Sequence, residues 1–205
     1  MDYTTLASAD SVQRAVESLK ARQFEPIVVE NGAKALELIK TLIPKGASVM
    51  NGASVTLEQM GFVEYLKSGQ HSWNNLHAAI LAENDAAKRH HLRNQSSLSD
   101  YYLGSVHALS ETGEMVITSN TGSQLPHLVY TSPNLILVVS TMKITPTLGA
   151  ALERLEKHVM PLEDEHMKKL YGLGTTRNKT VILHGESAMM KRSVKVLLVG
   201  EKLGF

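Results

Sequence analysis

Four short segments of this chain have residue types and spacing suited to chemistry. The first is Asn51-Gly52-Ala53-Ser54-Val55-Thr56-Leu57-Glu58. Gly52 lets the backbone approach a ligand closely. Ser54 and Thr56 bring hydroxyls, Glu58 a carboxylate, and the free N–H groups of a helix starting here favour a phosphate or carboxylate. The same residues have a plainer use, since Ser54 or Thr56 can simply cap the helix, with Thr56 and Gln59 as a capping box. The second segment is Ser110-Glu111-Thr112-Gly113-Glu114. Glu111 and Glu114 beside a glycine turn suit a general base or an electrostatic clamp, with Thr112 and Gly113 touching the ligand. A solvated turn is the alternative. The third segment, from Ser119 to Pro126, carries Gly122, Ser123 and Gln124 and could close over a ligand held by the first, or merely connect two elements. The fourth is Lys143, a cation just past a strand that could pair with an anionic substrate, or a solvated lysine.

Other chemistries are disfavoured. The chain has no cysteine, so disulfides, thiolate zinc sites, iron–sulfur ligation and a cysteine nucleophile are excluded. Its nine histidines show no His-x-x-x-His or His-x-Glu pattern, and no metal site is expected. No G-x-G-x-x-G follows the first strand. With 21 basic and 20 acidic residues and 5% aromatics, the footprints of a nucleic-acid binder are missing. The opening Met1-Asp2-Tyr3-Thr4 lacks the order of a signal peptide, and no apolar run approaches a membrane span, so a cytoplasmic protein is expected.

The elements that must position these segments follow from periodicity. Asp10 and Gln13 suggest a capped helix start, and Val12, Ala15, Val16 and Leu19 give its apolar stripe. Pro26 to Val29 reads as a buried strand, Ala35, Leu38, Ile39 and Leu42 as a helix, and Ala47 to Met50 as another strand. Strand, helix and strand within a short span predict a βαβ unit and a parallel sheet. Leu57 to Leu66 predicts one helix, residues 68–77 are turn-rich, and residues 78–98 are helical. Gly104 to Leu109 and Glu114 to Thr118 suit a hairpin or a strand–turn–strand. Leu135 to Val139 is the most β-like run, and Thr145-Pro146 suggests a helix start whose stripe is Leu148, Ala151, Leu152, Leu155 and Val159. Val181 to Leu183 and Val194 to Val199 are the last strands. With no repeat or clear linker, one domain over residues 1–205 is expected, residues 1–24 contributing a helix packed on it.

Several of these stretches together resemble the lactate-utilisation (LUD, LutC-like) family. Ala53 to Gly61 resembles its G-x-S-x-T-L-x-E-x-G segment, with the acidic residue shifted to Glu58. Asp100 to Glu114 resembles its central segment, in which a small-residue strand leads into an E-T-G turn. Gly122-Ser123-Gln124, then Leu135 to Lys143-Ile144, resemble a G-[NS]-R loop, strand and K-I-[VT] element. Val194 to Val199 and Glu201 to Phe205 resemble the ending of one branch. The resemblance implies a three-layer α/β/α fold with a mostly parallel sheet, similar to the NagB/ribose-5-phosphate isomerase/CoA-transferase group, with ligands at strand-end loops. It also implies a link to oxidation of L-lactate to pyruvate through a multi-protein system. Any iron–sulfur cluster would sit in a redox partner subunit, because this chain has no cysteine to hold one. Gln124 stands where many members carry Arg; Gln supplies no charge, which leaves Lys143 as the cation. Two roles are compatible: a small-molecule site for an anionic metabolite, or an accessory or metabolite-sensing subunit docking with the redox partner. Self-association into a homo-oligomer is open.

Overall fold

The structure, a computed structural model, describes residues 2–205. Among these residues the strands, in chain order, are β1 (Glu25–Val29), β2 (Ser48–Asn51), β3 (Asn74–Asn75), β4 (Tyr101–Gly104), β5 (Ala108–Ser110), β6 (Met115–Ser119), β7 (Asn134–Ser140), β8 (Ile144–Thr145), β9 (Lys179–Leu183) and β10 (Ser193–Val199). The α-helices are α1 (Ala9–Ala21), α2 (Gly32–Leu42), α3 (Val55–Gln59), α4 (Phe62–Ser68), α5 (Leu76–Ala82), α6 (Ala86–Ser96), α7 (Leu148–Arg154) and α8 (Met160–Tyr171).

Six strands form a wholly parallel sheet in the order β1-β10-β7-β4-β2-β3. Its centre explains the most apolar run of the sequence. Leu135, Leu137 and Val139 of β7 enter one core with α1 residues Ala15, Val16 and Leu19. Ile136 and Val138 enter the opposite core with Ala35 and Ile39 of α2, Leu57 of α3 and Phe62 of α4. A strand buried on both faces reads as a continuous apolar run, not as an alternation. The expected α/β architecture with helices on both sides of a mostly parallel sheet is what the chain adopts.

A second, mixed sheet, β8-β5-β6-β9, shares the α1 side. Its inward residues Leu109, Met115 and Ile117 meet the main sheet's core. Ala108 and Val116 on its other face pack against Ala151, Leu155 and Val159 of the long final helical stretch. In that stretch α7 passes through a π turn, Leu155–Val159, into α8.

Local chemistry moved several boundaries. Helix α1 is capped by Ser8, whose Oγ accepts from Ser11 N at 3.2 Å, and not by the expected Asp10. Strand β1 is an edge strand, not a buried one: it pairs only with β10, and Val28 is 60% exposed. Pro26, lacking an N–H, is tolerated at an edge. β1 and β2 are parallel as the βαβ pattern requires, but β10, β7 and β4 lie between them. The single helix expected over Leu57–Leu66 is broken at Gly61, which adopts φ +83°. The polar stretch 78–98 is likewise two helices, the second capped by Asp85. Thr147, not Thr145, caps α7; Thr145 belongs to β8 and its hydroxyl bonds the Leu109 carbonyl at 3.3 Å. The strand expected over 104–109 is divided: β4 ends at Gly104 in the main sheet, residues 105–107 turn a corner, and β5 begins in the second sheet. β5 and β6 pair antiparallel, as the hairpin reading expects. No helix among the described residues is long and apolar enough to cross a membrane.

Leu137 at the centre of the sheet and Val28 at its edge give a direct test. Leu137→Ala should lower unfolding free energy by about 2–5 kcal/mol through lost transfer energy and a residual cavity. Val28→Thr should change it by no more than about 0.5 kcal/mol, as expected away from buried features. Urea unfolding of both variants measures the contrast, and equal losses would contradict the assignment of centre and edge.

Candidate functional site

A cleft of about 310 Å³ opens where the carboxyl ends of β2, β4 and β7 meet the loop after β6, and α8 closes it from above. In an open parallel sheet the carboxyl edge is where ligands bind, because chain crossings leave a crevice there. The loop after β2 brings Gly52, Ser54, Thr56 and Glu58. The corner after β4 brings Ser105 and His107, the loop after β6 brings Ser119, Ser123 and Gln124, and the turn after β7 brings Lys143. Three of the four segments singled out by sequence therefore converge, with Gly122 on the same loop as Ser123 and Gln124.

Lys143 forms the floor and is only 4% exposed. Its Nζ donates to Thr56 Oγ1 at 2.9 Å, Ser105 Oγ at 3.1 Å and the Val106 carbonyl at 3.2 Å. No carboxylate among the described residues pairs with it. Burial first, and the Arg154 guanidinium second, bring its ammonium down to about 7. Arg154 is itself wholly buried: Nη1 donates to the His107 carbonyl, while Nε and Nη2 have no partner among the described residues. Burial lowers it to about 10. His107 is close enough to feel both cations: burial, then Lys143 and Arg154, hold its ring down to about 3, so it is neutral.

Around this floor the wall is polar and neutral. Ser54 caps α3, its Oγ accepting from Leu57 N at 3.3 Å, so the capping use of this residue is realised within the site. Gln124 Nε2 donates to the Thr118 carbonyl at 3.1 Å and its Oε1 faces Gly52. A Cβ on Gly52 would collide with the Tyr102 hydroxyl, which is why a glycine stands there. That hydroxyl is buried without a hydrogen-bond partner among the described residues, and burial raises its pKa. The carboxylates are at the rim: Glu58 is exposed, and Glu163 of α8 is raised by burial, with the nearby Glu58 adding to the rise against a pull from His166. Gly204 and Phe205 of the tail form a further wall, Phe205 packing edge-on against His166.

The acidic turn goes elsewhere. Glu111 accepts from Arg14 Nε at 2.6 Å and from Ser11 Oγ at 2.6 Å; Glu114 accepts from Arg22, Ser110 and Thr112, each at 2.5 Å. Gly113 packs directly on Arg22 with φ +94°. The Arg14 contact holds Glu111 below the usual carboxylate range against a burial effect. Burial would raise Glu114, but hydrogen bonds from Ser110 and Thr112, with Arg22, more than offset it. The structure thus brings Gly52, Ser54, Thr56, Glu58, Ser123, Gln124 and Lys143 together, and leaves Glu111, Thr112, Gly113 and Glu114 fastening α1 to the second sheet. Among the described residues no three His, Asp or Glu side chains gather as a metal-ligand group.

The LUD-domain family model matches residues 12–199. The chain belongs to the LUD-domain family. No curated protein matches it in sequence. A DUF162 family protein from Deinococcus radiodurans, known from its crystal structure, is similar with a TM-score of 0.58 at 12% identity, over 96% of this chain and 100% of that one. At that identity the likeness concerns the fold.

In this LUD domain the sequence reasoning passed over Ser105, His107, Arg154, Glu163 and His166. Ser105 was hidden because Gly104 to Leu109 read as one strand, whereas β4 ends at Gly104. Glu163 and His166 are three residues apart on one helix, a spacing that places them on the same face. Arg154 had none, because its burial depends on the second sheet beneath α7.

Lys143 makes stability depend on pH. Its folded value of about 7 lies below the ordinary lysine value of 10.5. Between these two values the unfolded chain holds the proton and the folded chain has lost it, so stability from this residue rises with pH across that window. Lys143→Met should remove the rise. The wild-type-minus-variant difference in unfolding free energy should grow by up to about 1.4 kcal/mol per pH unit between about pH 7 and about pH 9. Urea titrations at the two pH values test this; a difference that does not move with pH would show that Lys143 is not buried as described.

Proposed function

We propose that this LUD domain binds a small anionic metabolite, a carboxylate or phosphate ester, in the cleft over Lys143, and that it serves organic-acid utilisation of the L-lactate type. The observation that carries the reading is a buried ammonium at the floor of a cleft with no carboxylate among the described residues to neutralise it. Burying an unpaired charge is costly, and such a site gains on taking up an anion. The hydroxyls of Thr56 and Ser105 accept from Nζ; Ser105 Oγ in turn donates to the Val106 carbonyl at 3.3 Å, and Thr56 keeps its hydrogen to donate onward. An anion above them feels the lysine's charge and can accept from the polarised Thr56 hydroxyl. Gly52 lets the backbone come close, and Ser54, Ser123 and Gln124 supply neutral polar contacts. The rim carboxylates Glu58 and Glu163 disfavour an anion at the mouth and favour one seated deep.

An accessory role is favoured by a separate observation. Leu170 and Tyr171, which line the mouth, and the neighbouring Leu173 are 57%, 68% and 74% exposed. An iron–sulfur redox subunit or a second copy of this chain that covered them would bury apolar area beside the ligand.

Calorimetric titration with L-lactate, pyruvate, a sugar phosphate and a CoA ester tests the main reading. At least one should bind. Lys143→Met should weaken that binding by at least about tenfold, equivalent to about 1.4 kcal/mol. Glu111→Gln, remote from the cleft, should leave it within about twofold, as for surface changes that touch no binding group. If none of the four anions binds, the anion site is refuted. If the protein binds none of them yet co-purifies from its host with a cysteine-rich subunit, the accessory role replaces it.

A further inference from the structure

We propose that Lys143 is a nucleophile as well as a charge: its amine condenses with an aldehyde or ketone that carries an anionic group, forming an imine inside the cleft. The proposal rests on the anion-site reading above and names the substrate class of that site.

The three groups around Nζ suit a neutral amine as well as they suit an ammonium. The Val106 carbonyl only accepts, so it always takes one N–H. Thr56 and Ser105 present hydroxyls, which rotate and can either accept or donate. A neutral amine has two N–H donors and one lone pair. It satisfies all three neighbours by donating to the carbonyl and to one hydroxyl and accepting from the other. A carboxylate partner would have pinned the ammonium, and none is present among the described residues. Burial first, and the Arg154 guanidinium second, disfavour the ammonium, the two means by which lysines are activated as nucleophiles.

Access and shelter agree with this. Lys143 is 4% exposed yet lines the cleft, so a reagent reaches Nζ only through it. Gly204 keeps the tail's side of the amine open. A Cβ there would overlap Thr56 Oγ1 and lie 2.9 Å from Nζ, and its φ of +73° is one that residues with side chains rarely adopt.

The chemistry balances without an oxidant or reductant. The Nζ lone pair forms a bond to the carbonyl carbon, and the carbonyl π electrons move to its oxygen. One proton passes from nitrogen to that oxygen, giving a carbinolamine; the Ser105 and Thr56 hydroxyls, adjacent to Nζ, are placed to carry it. The C–O bond then breaks with a second proton transfer, water leaves, and a C=N bond to Nζ remains.

The test uses the full chain with glyoxylate, an aldehyde bearing a carboxylate, and with acetaldehyde as its uncharged counterpart, each with sodium cyanoborohydride to reduce any imine to a stable secondary amine. Peptide mapping by mass spectrometry locates the adduct. An amine that titrates near 7 is about half neutral at neutral pH, whereas an ordinary lysine is neutral about once in a few thousand. Glyoxylate should therefore label Lys143 at least about tenfold faster than exposed lysines such as Lys67 and Lys157, and faster than acetaldehyde does. Lys143→Arg should abolish that adduct; should this variant not fold, the position of the label in the wild-type chain decides alone. Label confined to surface lysines overturns the proposal. Calorimetric binding of glyoxylate with no adduct at Lys143 overturns the nucleophile and leaves the anion site standing. Equal labelling of Lys143 by both aldehydes leaves the imine step standing and removes the anion reading beneath it.

Discussion

The solvation of one ammonium group ties this structure together. Lys143 Nζ has left water, and its hydrogen bonds come from residues far apart in the chain: a hydroxyl from the start of α3 and a hydroxyl and a carbonyl from the corner after β4. Each must be in place for the lysine to be buried at all, since an unsatisfied buried charge costs more than the fold can spare. The parallel order of β2, β4 and β7 brings these three strand ends side by side. The sheet thus supplies the geometry, and the loops beyond it supply the dipoles.

The second sheet gives the cleft its other wall and its depth. It branches from the main sheet at residues 105–107, where the chain leaves β4 and enters β5. It is backed by α7, whose Arg154 reaches the His107 carbonyl beneath the site. The acidic turn that joins its central strands β5 and β6 grips α1 through Arg14 and Arg22. The carboxylates of that turn fix a helix to a sheet. Glu111 is taken up by Arg14 and Ser11, and Glu114 by Arg22, Ser110 and Thr112, so neither carboxylate reaches the cleft.

How much of this could be read from the residues depended on the range of the interactions. The β7 run is legible because a strand buried on both faces needs an unbroken apolar stretch. The loop of Gly52 and Ser54 is legible because a strand-to-helix transition has a local signature. The break at Gly61 is not, since a lone glycine in a helical stretch does not by itself mark an end, and the positive φ shows only in the fold. The edge position of β1 is equally hidden: Pro26 hints at it, but pairing with β10 is a contact across 170 residues of chain. The destination of Glu111 depends on Arg14, 97 residues earlier. Spacing identifies a carboxylate beside a turn, and only the assembled fold tells what it faces. Lys143 shows the same limit from the other side, for its position past a strand is visible in the chain while its burial is the work of residues 56, 105 and 106.

His107 carries one last consequence. Its Nδ1 accepts the backbone N–H of Thr118 at 3.1 Å, and the ring stays neutral down to about 3. A neutral imidazole that accepts at Nδ1 carries its hydrogen on Nε2. The ring is therefore locked in a single tautomer by the main chain of the neighbouring strand. It is a donor of fixed sign whose state does not follow the acidity of its surroundings, standing beside a lysine whose state does.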